Sequence, residues 1–209
     1  DGLSEILIAG WNQIYWNQGE GEFSVEPISE HAQRMNHAAV IADFNSDARL
    51  DYVFVNRGGR ITMLAGGDDG RFKAAPLVCW EEPLFNPSVL TVGDVDSDGD
   101  LDLFVAQYKP PYQKGQMPTP YYDANDGFPS YLLLNDGDGK LRDATRDTGL
   151  EKKRFRRTYA ASLVDLSNDG NLDLIVTSDF AGVDLYYGDG HGNFRDVTDA
   201  VLGERHSFG

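Results

Sequence analysis

The 209 residues predict an all-β chain built of β-propeller blades, each a four-stranded antiparallel sheet. Three observations carry this. A nine-residue acidic segment is written three times, the copies recur at blade-sized intervals, and the same order of short apolar runs surrounds each one. The copies are Asp43-Phe-Asn-Ser-Asp-Ala-Arg-Leu-Asp51, Asp94-Val-Asp-Ser-Asp-Gly-Asp-Leu-Asp102 and Asp165-Leu-Ser-Asn-Asp-Gly-Asn-Leu-Asp173. Aligned on the ninth position, the series runs Glu5, Asp51, Asp102, Asp173, in steps of 46, 51 and 71 residues. That spacing suits a unit of four short strands. No stretch sustains the periodicity of an amphipathic helix.

The elements follow in a fixed order. A first strand precedes each acidic segment, at Ala38–Ala42, Val89–Gly93 and Ala160–Val164. A second follows it, at Ile6–Ile8, Tyr52–Val55, Leu103–Val105 and Leu174–Thr177. The third is expected at Ile14–Trp16, Ile61–Leu64, Tyr131–Leu134 and Val183–Tyr187. Turns rich in Gly, Asp and Asn come next, at 17–21, 66–70, 135–139 and 188–192; such dipeptides mark tight hairpins. A last strand is expected to open at Phe23, Phe72, Leu141 and Phe194. The units are therefore 1–30, 37–78, 88–147 and 158–200: three complete blades and one partial. An insertion at 108–130 accounts for the long third step. Propellers have about four to eight blades, and both ends of the chain read as cut mid-unit. The expectation is part of a larger propeller, its further blades supplied by the same or another chain.

The repeated segment also specifies a chemistry. Ca²⁺ takes roughly six to eight oxygens, and alternate residues of a tight loop can converge on one point. The candidate metal residues are Asp43, Asn45, Asp47, Arg49 and Asp51 in the first loop, and Asp94, Asp96, Asp98, Asp100 and Asp102 in the second. Asp165, Ser167, Asp169, Asn171 and Asp173 form the third set. Two to three ions are expected. By charge the middle loop binds tightest, since Ala48 and Arg49 break the pattern of the first loop and Ser167 is a neutral ligand in the third. Asp1-Gly-Leu-Ser-Glu5 reads as half a loop that binds poorly or not at all. The competing account is that these acids only form turns capped by backbone amides.

These repeats resemble the FG-GAP/VCBS family, best known from the integrin α-subunit propellers. A closer resemblance is to proteins of the cartilage-acidic-protein (ASPIC/UnbV) type. It is carried by Tyr131-Leu-Leu-Leu-Asn-Asp-Gly-Asp-Gly-Lys-Leu-Arg-Asp-Ala-Thr145 and Leu172-Asp-Leu-Ile-Val-Thr-Ser-Asp-Phe180. The resemblance implies a β-propeller with calcium between the first two strands of a blade, in a secreted or surface protein. It implies no reaction.

Composition narrows the partners. The formal charge is −16, from 34 acidic and 18 basic residues, which argues against nucleic acid. The run Lys152-Lys-Arg-Phe-Arg-Arg157 is expected to be a solvated turn paired with nearby carboxylates, with an anionic glycan or acidic partner as the other possibility. One cysteine, Cys79, excludes an intrachain disulfide. No apolar run is long enough to span a membrane. Calcium loops of micromolar affinity would be empty in a resting cytosol, so an extracellular, cell-surface or periplasmic location is expected. His31, His37, His191 and His206 are expected at turns or on the surface, not as a metal site.

The insertion holds five prolines and five aromatics in 23 residues. Its Tyr108, Tyr112, Tyr121, Tyr122 and Phe128 are the candidate partner-binding residues, suited to sugar rings or a partner's apolar surface, with packing as the equal alternative. The functional expectation is a calcium-binding extracellular module for protein or polysaccharide interaction, adhesion or assembly, and not an enzyme. The alternative is a propeller enzyme, a polysaccharide lyase or sugar dehydratase; that would need a convergent acid/base set beside a pocket.

Overall fold

The structure is a computed structural model and describes residues 2–31, 38–112, 117–118 and 120–203. Its strands form four antiparallel meanders. The first is β1 (Ile6–Ile8), β2 (Gln13–Gly19) and β3 (Glu22–Pro27), paired in that order. The second is β4 (Ala39–Ala42), β5 (Asp51–Val55), β6 (Ile61–Leu64) and β7 (Leu77–Trp80). The third is β8 (Pro87–Gly93), β9 (Asp102–Gln107), β10 (Tyr131–Asn135) and β11 (Leu141–Asp143), and the fourth is β12 (Arg157–Val164), β13 (Asp173–Asp179), β14 (Gly182–Gly188) and β15 (Phe194–Asp196). Only α1 (Thr198–Leu202) and short 3₁₀ turns interrupt this all-β plan among the described residues.

Strand composition follows from where the cores lie. Successive side chains of a strand point to opposite faces, and here both faces of an interior sheet are covered. Tyr52 and Phe54 of β5 join Ile14, Leu64 and Phe72 in a core between the first two sheets. Val53 and Val55 join Leu103, Val105 and Leu133 between the second and third. Phe104, Leu132 and Leu134 meet Leu174, Val176 and Tyr186 between the third and fourth. That is why β5 and β9 are buried along their whole length and read as continuous apolar runs rather than alternating ones. Each fully buried side chain of this size contributes about 1.5–3 kcal/mol.

The strands that lead into the acidic loops lie side by side. β8 packs against both β4 and β12, and the Ser88 hydroxyl donates to the Thr158 carbonyl at 2.8 Å. The sheets therefore succeed one another as blades of a propeller.

One element differs from expectation. The last strand of the second sheet begins at Leu77, not at Phe72. Phe72 instead turns into the core against Tyr52, ring centroids 5.7 Å apart. Arg71 fixes this detour by donating to Glu26 at 2.8 Å and lying over the Trp16 ring at 5.0 Å. Packing onto the first sheet outweighs strand pairing for residues 71–73.

Candidate metal centre

Each complete sheet carries its acidic loop between its first two strands, at β4–β5, β8–β9 and β12–β13. The loops share one scaffold. The ninth residue, Asp51, Asp102 or Asp173, is wholly buried, and its two oxygens accept backbone N–H groups. One comes from the second loop residue, Phe44, Val95 or Leu166, at 2.9 Å in each case. The other comes from beyond the third strand or its end: Gly66 at 2.9 Å, Asn135 at 3.0 Å and Gly188 at 3.0 Å. The first residue closes the loop by accepting the N–H groups of positions 5 and 6: Asp43 from Asp47 and Ala48, Asp94 from Asp98 and Gly99, Asp165 from Asp169 and Gly170. Position 6 is left-handed in all three, with φ 65° at Ala48, 98° at Gly99 and 90° at Gly170. Glycine meets that demand freely, whereas Ala48 bears about 1 kcal/mol of strain.

Capped turns therefore exist, but they leave oxygens unused. In the middle loop, oxygens of Asp94, Asp96 and Asp102 lie within 4.8 Å of one another. Asp96 Oδ1 is buried with no hydrogen-bond partner, and so is Ser167 Oγ at the same position of the third loop. Burial, aided by the charges of Asp96 and Asp98, pushes Asp102 up to about 7 against the pull of its two N–H donors. Burial and the neighbouring Asp98 also raise Asp96. Clustered, desolvated carboxylates with orphaned oxygens fit a hard divalent cation.

Other candidates are engaged elsewhere. Asp98 and Asp169 accept N–H bonds from Asp100 and Asn171 at 2.9 Å. Asp100 accepts the Ser46 hydroxyl of the neighbouring sheet. In the first loop, Asn45 accepts from the Asp47 N–H at 3.2 Å, and the Arg49 guanidinium holds Asp47 at 2.7 Å and Asp68 at 3.0 Å. Burial presses Asp47 upward, yet the Arg49 N–H and guanidinium hold it below the usual carboxylate range. The first loop thus carries its own cation. Asp1 lies outside the described residues, and Glu5 is exposed.

The insertion leaves from the opposite end of the third sheet, between β9 and β10. Tyr108 stacks on Tyr159 at 4.7 Å and donates to Asp179 at 3.0 Å. Tyr121 stands edge-on to Phe180 at 5.3 Å, and Phe128 stacks on Phe85 at 5.2 Å. Tyr112 and Tyr122 are 67% and 57% exposed. Residues 113–116 and 119 lie outside the described set, as do His37 and His206.

The basic run pairs with carboxylates as expected, but its Arg156 and Arg157 form an internal clamp and not a solvated turn. Arg157 grips Asp126 through Nε at 2.9 Å and Nη2 at 2.8 Å. Arg156 reaches Asp123 at 2.6 Å and Asp184 at 3.2 Å. Lys153 pairs with Asp184 and Asp196, at 2.8 and 2.7 Å. Both Arg156 and Arg157 are buried, because the insertion folds back over them.

A family description, the FG-GAP-like repeat, matches residues 1–54 and 43–105, together just over half of the 209 residues. The chain belongs to the FG-GAP-like repeat family. No curated protein sequence matches it. Among solved structures, this FG-GAP-like chain is similar to an Agrocybe aegerita lectin described by its specific recognition of non-reducing terminal N-acetylglucosamine, at 14% identity and a TM-score of 0.36. The likeness covers 88% of this chain and 59% of the lectin, so the chain spans about three fifths of that protein's length. No helix among the described residues is long and apolar enough to cross a membrane.

Three aromatics were not singled out by the sequence of this FG-GAP-like chain: Phe85, Tyr159 and Phe180. Phe85 is 69% exposed, and each of the three meets an insertion ring. Phe85 sits in Pro83-Leu-Phe-Asn86, a loop-like stretch just ahead of β8, which was a usable signal. Tyr159 lay hidden inside a strand.

Proposed function

We propose that this chain is a calcium-binding propeller module for interaction with a protein or polysaccharide, working outside the cytosol. The observation that carries the calcium reading is the middle loop, where Asp94, Asp96 and Asp102 converge and Asp96 Oδ1 is buried without a partner. Calcium would supply the charge that these carboxylates lack. The expected order is middle loop first, third loop weaker for its neutral Ser167, first loop weakest because Arg49 already neutralises it. Two sites filled at millimolar calcium, and the first only partly, would suit an extracellular setting. The contact surface is the opposite end, where Tyr112, Tyr122 and Phe85 expose rings on a scaffold clamped by Arg156 and Arg157. Exposed rings on an insertion pinned at Lys109, Asp123 and Asp126 favour a binder over a lyase or dehydratase.

The test is metal stoichiometry together with melting temperature, with calcium and after chelation. An ion at a hundred times its Kd adds about 2.7 kcal/mol, or roughly 5–10 °C for a chain this long. Asp96→Ala is expected to lose one ion and most of that gain. A melting temperature indifferent to both chelator and Asp96→Ala would overturn the reading.

A further inference from the structure

The end of β9 carries two ring pairs, and two consecutive residues fix them. Gln107 is wholly buried. Its side-chain oxygen accepts the N–H groups of Phe85 and Asn86 at 2.6 and 3.3 Å, and its amide donates to the Pro129 carbonyl at 2.8 Å. One side chain thus ties the stretch ahead of β8 to the insertion and sets the Phe85 and Phe128 rings in a stack, their planes 25° apart. Tyr108 comes next and stacks on Tyr159 of β12 with planes 22° apart. Phe85 and Tyr159 are the outer members, 69% and 51% exposed. Rings so placed add little to the core, yet their faces are held in fixed positions.

The tyrosine pair also has a direction. The Tyr108 hydroxyl donates to Asp179 Oδ2 at 3.0 Å, since a carboxylate only accepts. The hydrogen between the two phenols, 3.3 Å apart, therefore comes from Tyr159, and the Tyr159 oxygen is left as an acceptor facing solvent. Burial first, then the bonds to Tyr159 and Asp179, push Tyr108 up, so it stays a neutral donor. Asp179 is buried, and its Oδ1 has no hydrogen-bond partner. Its charge polarises the chain of phenols instead of meeting water.

We infer that this end of β9 binds a neutral, hydroxyl-rich glycan, with sugar faces stacked on Phe85 and Tyr159 and a sugar hydroxyl donating to the Tyr159 oxygen. The inference rests on the interaction-module reading above and is independent of calcium. A pyranose presents a C–H face for the rings and hydroxyl donors at its edge for the acceptor. An anionic glycan fits poorly, because the neighbouring cations are engaged: Arg157 with Asp126, Arg156 with Asp123 and Asp184, and Lys109 with the Asp126 carbonyl. A basic peptide fits poorly too, because Asp179 lies out of reach behind the two phenols.

The test titrates the chain by calorimetry with neutral hexasaccharides (of glucose, mannose, xylose and N-acetylglucosamine), with an oligogalacturonate and with a lysine oligomer. Expected is saturable binding of at least one neutral hexasaccharide. Phe85→Ala should weaken it roughly tenfold or more. Tyr159→Phe, which keeps the ring and removes only the acceptor, should weaken it roughly two- to tenfold. Both side chains are at least half exposed, so the variants should melt as the unaltered chain does. Binding indifferent to both substitutions would overturn the proposal. Preference for the oligogalacturonate or the lysine oligomer, weakened by Phe85→Ala, would overturn the neutral glycan and leave the interaction-module reading standing. No binding of any probe would overturn this inference and count against that reading as well.

Discussion

At the scale of single residues, Asp102 shows how burial perturbs a carboxylate. Its side chain is wholly buried and accepts two backbone N–H groups, yet burial and the charges of Asp96 and Asp98 push it up to about 7. A carboxyl raised in the fold stabilises the fold at low pH, where both states are protonated, and that contribution is lost as pH rises through the folded value. The calcium-free chain should therefore be less stable at pH 8 than at pH 5.5 by on the order of 2 kcal/mol, and melt at a correspondingly lower temperature. With calcium bound, the ion takes over the neutralising role, so the decline should shrink or reverse. Thermal melts across this range, with and without chelator, check the point. Parallel curves in the two conditions would count against metal contact with Asp102.

At the scale of elements, what the sequence disclosed and what it hid have separate physical causes. The two-sided strands β5 and β9 were legible because both faces demand apolar residues, and the acidic loops because their spacing is local. The end strand β7 was not legible. Phe72 has the same local pattern as Phe194, and only the long-range contacts of Arg71 with Glu26 and Trp16 divert it. Nor could spacing reveal that Arg156 and Arg157 turn inward, because their partners Asp123 and Asp126 lie about thirty residues upstream in the insertion. That clamp makes a prediction of its own. Hydrogen bonding from Arg157 holds Asp126 below the usual carboxylate range, against burial and with help from Lys109. A carboxyl lowered in the fold stabilises above its unfolded value, 3.8, and the gain is lost as pH falls through the folded value. Asp126→Asn should thus cost about 1–3 kcal/mol at pH 7 and speed proteolysis within 108–130. The difference from the unaltered chain should vanish in strong acid. If it persisted there, the loss would be one of packing and not of charge.

At the scale of the whole molecule, the question is whether the sheets melt together or one by one. Stacked units that touch only their neighbours can come apart piecemeal, but here the links between loops work against that. The Asn135 side chain donates to the Phe44 carbonyl of the preceding loop at 2.9 Å and to the Leu101 carbonyl of its own at 3.2 Å. Its amide oxygen accepts the N–H groups of Gly137 and Gly139, both at 3.2 Å. Its backbone N–H meanwhile holds Asp102. One nearly buried residue therefore joins the first acidic loop, the second loop and the β10–β11 turn. Asn135→Ala would leave buried carbonyls unsatisfied, each costing about 1–3 kcal/mol, and should lower stability by about 2–4 kcal/mol in total. The unaltered chain should melt in one calorimetric transition. The variant should split off an early step, because its second and third sheets keep their apolar core but lose the polar tie across the loops. Calcium should raise the later step more than the earlier one, since the best-endowed loop belongs to the third sheet. A single, uniformly lowered transition in the variant would show instead that the apolar cores alone enforce cooperativity.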